Sequence, residues 1–108
     1  MKKNILMILA LGCGITFAGA ADGNALWSEH CANCHGKDGR GETKMGQKVG
    51  VKDYSDAKVQ DACDDAKAFK SVKEGLSEDG KTKMRPFGEK MSDEDIKATV
   101  AYLRTLKK

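Results

Sequence analysis

Three scarce residues stand at fixed spacing in Cys31-Ala32-Asn33-Cys34-His35. Two thiols three positions apart lie on adjacent turns of a helix, or across a tight turn, and face one side. Each can add to a vinyl group of a haem, giving two thioether links that hold the macrocycle against the chain. The histidine after the second cysteine then falls beneath the iron, where a ring nitrogen can be an axial ligand. The competing chemistries fit less well. A thioredoxin-like redox pair calls for a βαβ framework, which the pattern lacks. A Cys31–Cys34 disulfide closes too small a loop to staple much. Zinc finds four ligands on paper in Cys31, Cys34, His35 and Cys63. It leaves a lean core without the large apolar body that a haem supplies. The motif therefore implies one covalently attached haem c, with its iron.

The sixth iron position must be filled from elsewhere in the chain. His30 adjoins Cys31 on the same haem face as His35 and reads as a surface histidine. Met91 directly precedes a helix cap at Ser92 and reads as a packing residue at the helix start. Met45 lies ten residues after His35 in a glycine-rich loop. Met84 lies in a loop between two predicted helices, far enough along the chain to have passed round the haem. Met84 is the expected distal ligand, with Met45 or an open position as the alternatives.

The elements that position these residues come from a short chain. Its 108 residues make one domain, with 40% hydrophobic and 32% charged residues and a net charge of +3. That balance is too even for a protein whose main partner is a nucleic-acid backbone. Lys2 and Lys3, an apolar run from Ile5 to Phe17, and Ala18-Gly19-Ala20 read as a secretory signal over residues 1–20. Cleavage after Ala20 leaves a domain of residues 21–108 in the periplasm. A retained anchor helix and lipidation at Cys13 are the weaker alternatives. The run is too short to span a bilayer, which takes about 20 apolar residues. The mature chain keeps three cysteines, so disulfides cannot account for every thiol. Cys63 reads as a small buried hydrophobe, with an intermolecular disulfide as the alternative.

Helix and loop account for the whole pattern, and no strand signal appears. The clearest helix runs from Asp93 to Leu106, with Ser92 as its cap and Ile96, Val100, Leu103 and Leu106 as its apolar stripe. A second covers about Asn24 to Asn33, where Gly23, Trp27 and Cys31 recur every four residues. A third covers about Asp65 to Glu74, with Phe69, Val72 and Leu76 on one face and Gly75 as its stop. A short helical turn can follow Ser55. The glycine-rich segment from Gly36 to Asp53 reads as a loop.

With these residues in place, the chain resembles the class I c-type cytochromes, small monohaem carriers of the bacterial periplasm. The resemblance rests on Gly23 and Trp27 before Cys31, on the motif ending at His35, on Met84 with Phe87 three later, and on Val100-Ala101-Tyr102-Leu103. It implies an all-α, cytochrome c-like fold of three to four helices around one covalently bound haem, with the N- and C-terminal helices crossing. Gly23, Trp27 and Tyr102 match the family's crossing residues, and Met84 its distal ligand. Two departures stand out. Arg85 separates Met84 from Pro86, and no proline follows the motif to offer its carbonyl to the His35 ring. Another carbonyl of the glycine-rich segment must then orient His35.

The expected function is one-electron transport, the iron cycling between ferric and ferrous under His35 and Met84. Both axial positions are then filled by protein, so no substrate coordinates readily, and no catalytic apparatus is evident; an enzyme is not expected. A haem-based sensor or gas-binding module with a displaceable sixth ligand is the alternative. The expected partners are redox proteins; the lysines spread between Lys37 and Lys90 read mostly as a solvated surface, and only a rim of them around an exposed haem edge would be a docking surface. Neither nucleic acid nor stable membrane insertion of the mature chain is expected.

Overall fold

Asp22 opens the first helix by accepting from the N–H groups of Asn24 and Ala25, at 3.1 and 3.3 Å. These are donors that a helix start otherwise leaves unpaired. The computed structural model describes residues 22–108. The signal segment, its cleavage after Ala20 and the lipidation alternative at Cys13 lie outside the described residues. Helix α1 runs through Gly23–Leu26, a π turn at Trp27–Cys31, and Ala32–His35. In the π turn the Ala32 N–H reaches back to the Trp27 carbonyl, one residue further than an α turn.

Helix α2, Lys44–Val49, corrects the reading of Gly36 to Asp53 as loop throughout. Thr43 caps it, accepting from Gly46 N at 2.8 Å, and Gly50 ends it in the left-handed region at φ 76. Gly46 within the helix looked like a breaker. It is there because a Cβ would strike the Cys34 carbonyl, so α2 packs tightly on the end of α1. Helix α3, Ala57–Ala62, is the short turn after Ser55, capped by Asp56. Helix α4, Asp65–Glu74, has the expected bounds and stops at Gly75, φ 83.

Beyond Gly75 the structure departs from the helix-only expectation. β1, Leu76–Glu78, pairs antiparallel with β2, Lys81–Met84, with Leu76 opposite Met84 and Glu78 opposite Lys81. Asp79 and Gly80, at φ 51 and 75, make the two-residue turn whose positive φ values suit the twist of a hairpin. Leu76 is consequently 44% exposed on a strand and not on the apolar face of α4. Met84 ends a strand and does not lie in an open loop. Helix α5, Asp93–Arg104, begins with a reciprocal Ser92–Asp95 capping box. The described residues thus hold five helical elements, two of them six-residue helices, and one small sheet.

α1 and α5 cross where α1 lacks a side chain. A Cβ at Gly23 would collide with the Ala98 carbonyl and meet Tyr102 Cβ at 3.0 Å, so Gly23 permits the approach. Two apolar clusters flank this crossing. One gathers Val72, Phe87, Met91, Ile96 and Val100, with Leu26, Phe69 and Met84 against it. The other gathers Trp27, Cys31 and Leu103, with Tyr54, Cys63, Tyr102 and Leu106 against it. Ile96 is fully buried, contributing ~1.5–3 kcal/mol by removal from water. No helix among the described residues is long and apolar enough to cross a membrane.

Candidate haem site

The π turn carries Cys31 inward, where it is 6% exposed beside Trp27, while Cys34 one turn on is half-buried. Neither is in a disulfide. Burial first, and then the neighbouring Cys34, pushes the Cys31 thiol up to about 11. A redox-active CxxC pair needs the opposite, a thiol easily ionised. Nor do Cys31, Cys34, His35 and Cys63 assemble a zinc site: no group of three or more such side chains converges among the described residues. Cys63 is instead half-buried at the end of α3, packed against the Trp27 cluster.

His35 closes α1 between two aromatic rings. Its centroid lies 5.4 Å from that of Trp27 and 5.9 Å from that of Tyr54, the latter edge-on. Burial lowers its pKa, favouring the neutral imidazole that binds metals. Its Nδ1 is buried and has no hydrogen-bond partner among the described residues. The expected carbonyl from the glycine-rich segment is therefore not found at His35, and the two carbonyls that follow it most closely among the glycines are engaged elsewhere. Gly36 O takes Trp27 Nε1 at 2.8 Å and Gly39 N at 3.2 Å, while Gly39 O takes Tyr54 N at 2.7 Å. Two unpaired thiols beside a neutral, sequestered imidazole are a donor set that suits a covalently held haem.

The candidate distal residues separate cleanly. Met84 is half-buried at the end of β2, against the cluster of Phe87 and Met91. Met91 is 3% exposed within that cluster, in keeping with a packing role. Met45 is 42% exposed and lines an open cleft with Asn33, Lys44 and Lys48. His30 is not the surface histidine expected. Its side chain is 20% exposed and its ring meets Phe87 edge-on at 5.9 Å. Cys31, Cys34 and His35 thus share one helix end, and Met84 belongs to the other cluster.

Sequence reasoning missed Tyr54 and what holds it. Gln60, 4% exposed, donates to the Tyr54 carbonyl at 2.6 Å and the Leu103 carbonyl at 2.9 Å. Arg104 returns from α5 to the Gln60 carbonyl and side chain at 2.7 and 2.9 Å, and to Asp65 at 2.7 Å. The backbone beneath the Tyr54 ring is therefore tied to the C-terminal helix. A lone glutamine among charged residues carries no signal of this in sequence.

Residues 18–103 match the family described as cytochrome c oxidase, cbb3-type, subunit III. Among solved structures the chain is similar to KustC0563 c-type cytochrome, with 35% identity and a TM-score of 0.70, over 81% of this chain and 99% of that one. A tyrosine-to-phenylalanine mutant of Kustc0563 matches with 36% identity and a TM-score of 0.70, over 80% and 99%. No curated protein matches the chain.

Proposed function

The chain belongs to this family of c-type cytochrome domains, which carry haem c and its iron covalently attached and serve in haem-based electron transfer; from that premise we propose a periplasmic one-electron carrier with His35 and Met84 as axial ligands. When bound, haem c supplies a ferric/ferrous couple. Cys31 and Cys34 would hold it through thioether bonds. His35, whose pKa burial lowers toward the neutral form and which Trp27 and Tyr54 flank, would supply a ring nitrogen to the iron. Met84, on the hairpin, would supply a thioether, which favours the ferrous state and so raises the potential. Because both sets of residues sit on packed elements, the change of charge needs little rearrangement around it. The domain proposed to do this is residues 21–108, exported by a signal over residues 1–20 that is removed after Ala20. Its partners are the redox proteins that give and take the electron.

The observation that carries this reading is the His35 ring at the end of the cysteine motif, half-buried and with its buried Nδ1 unpartnered among the described residues, alongside a half-buried Met84 on a hairpin seated against α4. Its test is spectroscopic. The oxidised protein should show the near-infrared band of methionine-to-iron coordination, and the reduced protein should not bind carbon monoxide. Met84→Ala should abolish the band, lower the potential and admit carbon monoxide. A wild type that lacks the band and binds the gas readily is a sensor or gas-binding module instead. Intact mass checks export: the chain from Ala21 plus one haem is expected, and a lipid on Cys13 would overturn it.

A further inference from the structure

Met84 itself is a flexible side chain, so its aim depends on the backbone beneath it. That backbone is seated on the C-terminal end of α4 at several points. Leu76 pairs with Met84 across the hairpin. Phe87 N donates to the Val72 carbonyl at 2.8 Å, and Gly88 N to the Lys73 carbonyl at 3.0 Å. These are carbonyls that the last turn of a helix otherwise leaves without partners. Both ends of the seating coincide with glycines. A Cβ at Gly75 would stand 2.8 Å from Met84 O and 3.0 Å from Pro86 N, and one at Gly88 would stand 3.0 Å from Lys73 O. Side chains at either position would lift the same segment off α4.

We propose that Gly75 and Gly88 are positioning residues for the distal ligand: they let residues 84–88 lie against α4 and so fix where the Met84 sulfur points. The close approach at Gly75 is also made at φ 83 and ψ 176, a conformation essentially confined to glycine. Pro86 adds to the constraint, since its ring fixes the backbone next to the contact with Gly75. The inference rests on Met84 being the ligand.

The test uses the haem-loaded protein, comparing Gly75→Ala, Gly88→Ala and Gly50→Ala. Gly50 also has positive φ, 76, but a Cβ there meets nothing within 4 Å, so it reports backbone strain away from the hairpin. Gly75→Ala is expected to lose the near-infrared band and to bind carbon monoxide when reduced. Gly88→Ala should weaken the band and admit the gas in part, whereas Gly50→Ala keeps the wild-type spectrum. A role in folding alone would lower the melting temperature and leave the band of the folded fraction unchanged. If Gly75→Ala does not fold, Gly88→Ala decides, because its backbone carries no positive φ. Wild-type bands in the folded glycine variants, or loss of the band in Gly50→Ala as well, would overturn the proposal. A wild type without the band fails at the earlier step, the assignment of Met84.

Discussion

The end of α1 and the hairpin that follows α4 hold their chemistry in different ways. Cys31, Cys34 and His35 are neighbours in sequence, and one stretch of helix sets their relative positions. Met84 owes its place to a hairpin, to two carbonyls of α4 and to a close approach at Gly75, none of them adjacent to it in the chain. The first region sets its own internal spacing, although Tyr54 and Gly46 pack on it from elsewhere in the chain. The second can be perturbed from several distant positions without touching Met84. On the proposed assignment, attachment at the motif and control of Met84 are therefore separable.

The largest effect expected from breaking that contrast is at the motif itself. Cys31→Ser with Cys34→Ser should leave haem that is fully removed by acidic organic extraction, whereas the wild type should retain it. Either single substitution should leave one link and lower the yield of haem protein. Haem that extracts freely from the wild type would remove the basis of both regions at once.

Met91→Ala comes next and separates packing from ligation. Met91 is 3% exposed in the cluster beside Met84, so truncation should cost ~2–5 kcal/mol in denaturant unfolding. The near-infrared band of the folded protein should survive. If the band instead vanishes with Met91→Ala and survives Met84→Ala, the sulfur on the iron is that of Met91.

The same contrast governs what the sequence made legible. Helix α4 and the cap at Ser92 could be read because their signals are local: a terminal glycine, a serine before acidic residues, and apolar spacing on one face. The motif at Cys31 is local too. The hairpin was not read, although Asp79-Gly80 is a strong turn signal, because its strands are largely exposed and lack apolar alternation. Helix α2 was hidden by Gly46, whose absence of a side chain serves a contact with Cys34 that no local pattern encodes. Tyr54 beside His35 and the Gln60–Arg104 tie likewise depend on α3 and α5 meeting. Apart from the hairpin, what was missed was long-range, and much of it sits around His35.

A smaller effect is expected where the distal region meets α5. Ser92→Ala removes the Oγ acceptor for Asp95 N, at 3.1 Å, while the backbone N–H of residue 92 keeps the Asp95 carboxylate as its acceptor. The loss should be ~1 kcal/mol of unfolding free energy, with attachment and the spectrum unchanged. A shift of the near-infrared band in Ser92→Ala would show that the start of α5 helps to aim Met84, so that its seating extends beyond α4.

The smallest effect should come from the ion pair between the end of α4 and the start of α5, beside the hairpin. Lys73 Nζ lies 3.1 Å from Asp93 Oδ1, but the two side chains are 43% and 56% exposed. Water screens such a pair, and two long side chains lose freedom in making it, so Lys73→Ala should cost under ~1 kcal/mol. Whatever it costs should shrink as salt is raised. The Lys73 carbonyl, which accepts Gly88 N at 3.0 Å, is untouched by this substitution. If the backbone seating fixes Met84, Lys73→Ala therefore keeps the near-infrared band at every ionic strength. A band that weakens in this variant, or in the wild type at high salt, would mean that surface charge and not backbone contact holds the distal region in place.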